Sequence, residues 1–122
     1  MIVGKLDNQT VIVTGASRGI GTEIAKALAA EGGKVVCVAR TLRPGSHDIT
    51  NYMKDQGRPG EVVDPFPGSL EETVVQIREA GGEATAVAAD ISTEAECERV
   101  VKQAQEVYGP IDVLVNNAAL AV

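Results

Sequence analysis

The sequence predicts an α/β fold in which a parallel sheet is flanked by helices on both faces. Short apolar runs rich in valine alternate along the chain with segments whose apolar residues recur at helical spacing. Hydrophobic residues make up 44% of the 122 residues but aromatic residues only 2%, so the core must be built from Val, Ile, Leu and Ala, which suits strands buried on both faces. The length is that of one domain.

The first half of the pattern contains two strands and the helix between them. Residues 10–14 form the first apolar run and residues 34–39 the second. The intervening helix is predicted from apolar residues at helical spacing, followed by paired glycines that end it: Ile20, Ile24, Ala27 and Leu28, then Gly32 and Gly33.

Two capping boxes mark the starts of the later helices: Ser69 with Glu72, and Thr93 with Glu96. A third strand is predicted over residues 83–90 and a fourth within residues 109–115. The last helix carries the clearest apolar stripe, formed by Cys97, Val100, Val101, Ala104, Val107 and Tyr108. The order β-α-β-α-β-α-β favours right-handed crossovers and a partial doubly wound sheet with strand order 3-2-1-4.

One segment, residues 40–68, interrupts this alternation within the single domain of residues 1–122. It holds four glycines and four prolines and shows no stable period, whereas a connection usually has roughly 2 to 6 residues. It is interpreted as a long functional loop or a disordered insertion. Its basic residues Arg43, Lys54 and Arg58 either hold a phosphate or only solvate the loop, and its His47 has no second ligand partner that would indicate a metal site.

Charge and hydropathy disfavour several classes of function. The net charge of −6, from 11 basic and 17 acidic residues, repels nucleic acid and anionic membrane surfaces. No apolar run reaches the roughly 18 residues that span a bilayer, and the N-terminus lacks an apolar signal core. A soluble, cytoplasmic protein is therefore expected, in which Cys37 and Cys97 are reduced and buried or half-buried.

A glycine-rich turn, "TGASRGIG" (residues 14–21), follows the first strand and leads into the first helix. Its glycine spacing is neither that of GxGxxG nor that of a P-loop. A strand-to-helix turn without side chains nevertheless lets backbone N–H groups approach a pyrophosphate, and the helix N-terminus favours anions. Since nucleotides bind at the C-terminal strand edge of such sheets, the turn predicts nucleotide binding.

Three motifs on successive strand ends resemble one known family. "TGASRGIG", then "AAD" with Ile91, then "NNAA" are similar to the TGxxxGxG, Asp and NNAG pattern of the short-chain dehydrogenases/reductases, and the resemblance covers all 122 residues. It implies a Rossmann-type fold and hydride transfer between a nicotinamide and a carbonyl or alcohol. The residues that the resemblance assigns to the cofactor are Gly15, Gly19 and Gly21 at the pyrophosphate; Ser17, Arg18 and Ile20 beside it; Asp90 and Ile91 at the adenine; and Asn117, Ala118 and Ala119 under the ribose.

Some of these assignments have alternatives. Asp90 also suits the N-terminus of a helix, where a carboxylate is favourable, and Asn116 and Asn117 also suit a plain turn. Ala119 stands where the family has glycine, which puts a close approach of the backbone to the ribose in doubt.

The end of the second strand indicates which dinucleotide is bound. An acidic residue there would bind the ribose 2′-hydroxyl of NAD, but the sequence has Arg40 and Thr41. Arg40 suits a 2′-phosphate, Thr41 supplies a hydrogen-bond donor, and Arg18 can reach the same place. NADP(H) is therefore favoured over NAD(H), unless both arginines are only solvated surface charges.

No catalytic residue can be assigned. The family uses a Tyr-x-x-x-Lys pair with a serine beyond NNAG, and neither Tyr52 nor Tyr108 has that spacing. The chain is expected to be the N-terminal, cofactor-binding half of such an enzyme and inactive alone. Two alternatives stay open: a non-catalytic dinucleotide-binding module, or an interaction protein that pairs, with itself or another chain, through the open edge of its fourth strand.

Overall fold

The computed structural model describes residues 4–40, 42 and 68–118. Within these residues a four-stranded parallel sheet is flanked by three helices, which confirms the predicted α/β class. The strands are β1 (Thr10–Thr14), β2 (Lys34–Ala39), β3 (Glu83–Ala88) and β4 (Val113–Val115). The helices are α1 (Gly19–Ala30), α2 (Leu70–Glu79) and α3 (Glu94–Tyr108).

The strand order is β3-β2-β1-β4, as predicted, and every pair of neighbours is parallel. In the register of the sheet, Val13 of β1 lies between Cys37 of β2 and Val115 of β4. All strands therefore end at the same edge, and the turn after β1 lies at its centre. β4 is an outer strand of the described sheet, and association through it stays a prediction.

The two faces of the sheet carry separate cores. The two-helix face packs against α1 and α2, and its cluster includes Val11, Val13, Val35 and Cys37 of the strands with Ala25, Ala29, Leu70, Val74 and Ile77 of the helices. The one-helix face packs against α3, and its cluster includes Ile12, Val36, Val38 and Val87 with Val100 and Ala104. Alternation of side chains along each strand produces this division, because successive residues point to opposite faces.

The apolar stripe predicted for α3 is narrower than expected. Val100 and Ala104 are buried, but Val101 and Val107 are 42% and 54% exposed, and Cys97 is exposed as well. The prediction that Cys97 is buried or half-buried is therefore wrong. The stripe residues that pack on the core of the sheet are Val100, Ala104 and the half-buried Tyr108.

Cys37, in contrast, is buried and free, as predicted. It lies in the middle of β2, where desolvation raises the pKa of its thiol to about 12. A thiol with so high a pKa stays protonated near neutral pH, so Cys37 behaves as a core residue.

Two strands are shorter than the sequence suggests. β3 ends at Ala88, after which the Ala89 amide donates to Ala39 O and the chain turns. β4 has only three residues. Just before β4, the Asp112 amide donates to Thr10 O and the Asp112 carboxylate accepts from the Thr10 amide, both at 2.9 Å, so a backbone bond and a side-chain bond together join this segment to β1.

Both predicted N-caps are confirmed. Ser69 Oγ accepts from the Glu72 amide at 3.2 Å, and Thr93 Oγ1 accepts from the Glu96 amide at 3.3 Å. Each cap satisfies one of the amides that a helix start leaves without an intrahelical partner. Of the predicted loop over residues 40–68, only the ends belong to the described residues, and Arg43, His47, Tyr52, Lys54 and Arg58 lie outside them.

Candidate dinucleotide-binding site

The glycine-rich turn leaves β1 at the centre of the C-terminal edge of the sheet. Gly15 and Gly19 have φ values of 69° and 56°, in the left-handed region that L side chains rarely adopt. Between them, the Ala16 amide donates to Val38 O at 3.2 Å, which ties the turn to the end of β2. Glycine at two positions thus lets the chain reverse from strand into helix within five residues.

The three glycines have different surroundings. A Cβ on Gly15 would lie 2.9 Å from Asn117 Nδ2, and one on Gly21 would lie 2.7 Å from the same atom. A Cβ on Gly19 would meet no atom of the described structure within 4 Å. Gly15 and Gly21 are therefore required by the protein's own packing, while Gly19 alone opens towards space that a ligand can occupy.

Thr14 joins the ends of β1 and β4, a role that the sequence-based prediction missed. Its Oγ1 accepts from the amides of Asn117 and Ala118 at 3.1 and 3.0 Å and donates to Val115 O at 3.3 Å. Asn117 Nδ2 also donates to Gly15 O at 3.3 Å. A threonine at the last position of a central strand is the one signal in the sequence that could have indicated this role.

The residues expected under the ribose are only partly placed. Asn117 and Ala118 lie directly against the glycine-rich turn, and the hydrogen bonds of Asn117 hold protein groups. Ala119 lies outside the described residues. The ribose contact of these residues stays a prediction.

The side chains of the turn point in different directions. Ser17 is buried, and its Oγ accepts from Arg18 Nε at 3.3 Å. Arg18 is half-buried at the start of α1. Ile20 is 73% exposed, so a large apolar side chain stands in solvent one residue beyond Gly19, where a ligand at the turn would cover it.

The other predicted contacts lie at the ends of β2 and β3. Arg40 is exposed immediately after β2, while Thr41 lies outside the described residues. Asp90 is exposed, and its Oδ1 accepts from the Ser92 amide at 3.0 Å in the turn that leads into α3. This bond supports the interpretation of Asp90 as an acid beside the start of a helix. Ile91 is half-buried against the one-helix face.

Tyr108 is unsuited to proton exchange near neutral pH. Desolvation and the negative charge of Glu83 raise its pKa above the ordinary value, whereas a catalytic tyrosine needs a lowered one. Among the described residues no group of three or more His, Cys, Asp or Glu side chains could hold a metal ion. No helix in the described ranges is long and apolar enough to cross a membrane.

A parallel sheet of this order, with a glycine-rich turn after its central strand, defines a Rossmann-like, dinucleotide-binding class of domain. The family can be stated more narrowly. The family model of short chain dehydrogenases matches residues 9–59 and 46–122, so the chain belongs to the short-chain dehydrogenase family of oxidoreductases and corresponds to its cofactor-binding region.

Curated relatives from distant organisms agree with this membership. The chain is 36% identical over 117 residues to the ketoacyl reductase HetN of Nostoc sp., covering 96% of this chain and 32% of that protein. It is 37% identical over 116 residues to hydroxysteroid dehydrogenase-like protein 2 of Danio rerio, covering 95% of this chain and 24% of that protein. The chain therefore spans about a third or less of the length of these relatives.

Solved structures share the fold. A short chain dehydrogenase from Mycobacterium avium matches with a TM-score of 0.74 and 34% identity, over 98% of this chain and 36% of that one. An actinorhodin polyketide ketoreductase variant with NADPH matches with a TM-score of 0.68 and 35% identity, over 97% and 36%. A metagenomic short-chain oxidoreductase in complex with NADP matches with a TM-score of 0.67 and 31% identity, over 94% and 41%.

Proposed function

We propose that this chain binds NADP(H) and forms the cofactor-binding half of an oxidoreductase that transfers hydride between nicotinamide and a carbonyl or alcohol. The observation that carries the proposal is the turn at the centre of the strand edge, fixed by Thr14 and Asn117 on one side and open at Gly19 on the other. In this place backbone N–H groups and the N-terminus of α1 favour a pyrophosphate.

The preference for NADP(H) rests on charge at the adenosine side. Arg40 at the end of β2 and Arg18 in the turn are cations, and no acidic residue stands at the end of β2 to bind a ribose 2′-hydroxyl. Hydrogen bonds from arginine to phosphate are charge-assisted and are stronger than neutral ones. Two related structures, solved with NADPH and NADP, are consistent with this preference.

Binding without turnover is proposed for the 122 residues alone. They contain no Tyr-x-x-x-Lys sequence, and the raised pKa of Tyr108 opposes proton exchange near neutral pH. The groups that would donate or accept the substrate proton are therefore not among these residues. Mixing the purified chain with NADPH and a panel of ketones should give no oxidation of NADPH above the rate without protein.

The cofactor preference is tested by replacing Arg40 with aspartate. We expect Arg40→Asp to weaken NADPH binding at least tenfold in calorimetry, because a carboxylate would face the 2′-phosphate, and to change NADH affinity less than threefold. Lys102→Asp on α3 makes the same change in net charge away from this edge and should leave both affinities within twofold. If NADPH binds Arg40→Asp as tightly as the wild type, the assignment of Arg40 is wrong; if the wild type binds neither nucleotide, the proposed function is wrong.

A further inference from the structure

The glycine-rich turn is held from a second side by α2 and the residue before its N-cap. We propose that Gly68 and Thr73 are positioning residues that set the location of Arg18, and that they thereby contribute to the selection of 2′-phosphorylated dinucleotides. The inference rests on the proposed function, and neither residue belongs to the predicted site.

Thr73 fixes the carbonyl of Ala16 inside the turn. Its side chain is 1% exposed, and its Oγ1 donates to Ala16 O at 2.8 Å. Thr22 Oγ1 lies 3.1 Å from Thr73 Oγ1. The Thr73 hydroxyl also lies 3.2 Å from Ser69 O, but its one proton serves the shorter contact to Ala16 O. The Thr22 hydroxyl lies 3.3 Å from the same Ala16 O and can donate to it more weakly. The shortest hydrogen bond to this buried carbonyl therefore comes from a residue 57 positions away in sequence.

Because the Ala16 amide also donates to Val38 O at 3.2 Å, both polar backbone groups of Ala16 are bound. Ala16 therefore anchors the turn between β2 and α2. The two residues that follow it, Ser17 and Arg18, start from this anchor, and the Arg18 carbonyl accepts from the Thr22 amide at 3.4 Å. A shift of Ala16 consequently moves the backbone that carries the guanidinium of Arg18.

Gly68 makes the second contact, directly against Arg18. A Cβ on Gly68 would lie 2.9 Å from Arg18 Cβ and 3.3 Å from Arg18 Cα, and closer still to the carbonyl oxygen of Ser17. The φ of Gly68 is +120°, which also favours glycine. Any larger residue at position 68 must therefore displace Ser17 and Arg18 or move itself, so the close approach fixes the base of the arginine side chain.

A displacement of Arg18 should weaken the binding of a 2′-phosphate more than the binding of a pyrophosphate. The guanidinium of Arg18 is the group in this turn that can form charge-assisted, directional hydrogen bonds to a phosphate. Displacing its backbone alters the geometry of those bonds. ADP, which has no 2′-phosphate, cannot make this contact.

The test measures affinity for adenosine 2′,5′-bisphosphate and for ADP by calorimetry on the 122-residue chain. Gly68→Ala and Thr73→Val should each lower the affinity for adenosine 2′,5′-bisphosphate by a factor at least five times larger than the factor by which they lower the affinity for ADP. Thr73→Ser keeps the hydroxyl and should bind both probes within twofold of the wild type. Circular dichroism verifies that each variant is folded. If Gly68→Ala does not fold, the ratio of the two affinities in Thr73→Val tests the inference.

Gly81→Ala is the matched control. Gly81 also has a positive φ, +89°, but a Cβ there would meet nothing within 4 Å of the described structure. This variant should lower the melting temperature without changing the ratio of the two affinities. If Gly68→Ala and Thr73→Val weaken both probes equally, the two residues are only structural and the inference is wrong, while the proposed function stands. If the wild type binds ADP but not the 2′-phosphorylated probe, the proposed NADP(H) preference fails first.

Discussion

The two faces of the sheet are built from the same kinds of residue but are protected to different degrees. On the two-helix face, α1 lies over β1 and β2, α2 lies over β2 and β3, and Leu70 and Ile77 are at most 2% exposed. On the one-helix face, α3 buries Val100 and Ala104, but its neighbours Val101 and Val107 stay exposed. Apolar character alone therefore does not determine burial, because each side chain also needs a packing partner on both flanks.

Among the helices, α2 of the two-helix face is bonded to the glycine-rich turn. Its anchor Ala16 belongs to the core on that side and is bonded by Thr73 of α2. The first residues of α3, in contrast, follow the Asp90 turn at the end of β3. The packing of the two-helix face therefore also supports the shape of the candidate site. Ile77→Ala and Val100→Ala, with Val107→Ala as a control, test how much the two faces differ in packing.

The largest expected effect is the loss of a large side chain from the two-helix face. Ile77→Ala should lower the free energy of unfolding by about 2–5 kcal/mol, because it removes buried methyl groups and leaves a cavity. Val100→Ala on the one-helix face should cost about 1–2 kcal/mol, from the smaller buried area that is lost. Urea denaturation monitored by circular dichroism measures both.

Val107→Ala serves as the control for this pair. Since Val107 is 54% exposed, its replacement should change the free energy of unfolding by no more than about 0.5 kcal/mol. Because Ile77→Ala removes three carbons and Val100→Ala only two, equal losses would show that the one-helix face is packed at least as tightly around Val100 as the two-helix face is around Ile77, contrary to the expected order.

Removing the two helix caps should give a smaller difference in the free energy of unfolding. Ser69 is fully buried at the start of α2, and its bond to the Glu72 amide is partly buried, whereas the bond from Thr93 to the Glu96 amide is exposed. Ser69→Ala should cost about 2 kcal/mol and Thr93→Ala about 0.5 kcal/mol, because water can replace only the exposed cap. Thermal denaturation of the two variants side by side checks the order, and a larger loss for Thr93→Ala would reverse the conclusion.

The smallest effect concerns an ion pair on α3. Arg99 Nε donates to Glu96 Oε2 at 2.6 Å, and this hydrogen bond with the Arg99 charge holds the pKa of Glu96 below its ordinary value. A depressed pKa in the folded state means that the pair stabilises the fold above the unfolded-state pKa of glutamate. That contribution is lost as the pH falls through the folded-state pKa.

The side chains of Arg99 and Glu96 are 39% and 36% exposed, so solvent screens the pair and its effect on stability should be slight. A carbon-detected NMR titration of the Glu96 carboxyl should give a midpoint that rises in Arg99→Leu. Identical midpoints in the two proteins would show that Arg99 does not stabilise the Glu96 carboxylate.

Much of the site could be predicted from local sequence because its elements are local. The turn of residues 14–21 directly follows a strand and directly starts a helix, so its place in the fold follows from order alone. The sequence does not show why each glycine is needed. Gly15 and Gly21 face Asn117, about 100 residues away in sequence, and only the pairing of β1 with β4 brings that side chain to them.

The sequence by itself determined the alternation of strands and helices, the strand order, the two N-caps and the turn at the centre of the sheet. These features follow from spacing, capping and handedness, which act over a few residues or on the order of elements. Only the tertiary structure decided that Val101 and Val107 stay exposed, that Thr14 joins two strand ends and that Thr73 holds Ala16. Each of these depends on which distant residues come into contact, and packing partners of that kind leave no local pattern in the chain.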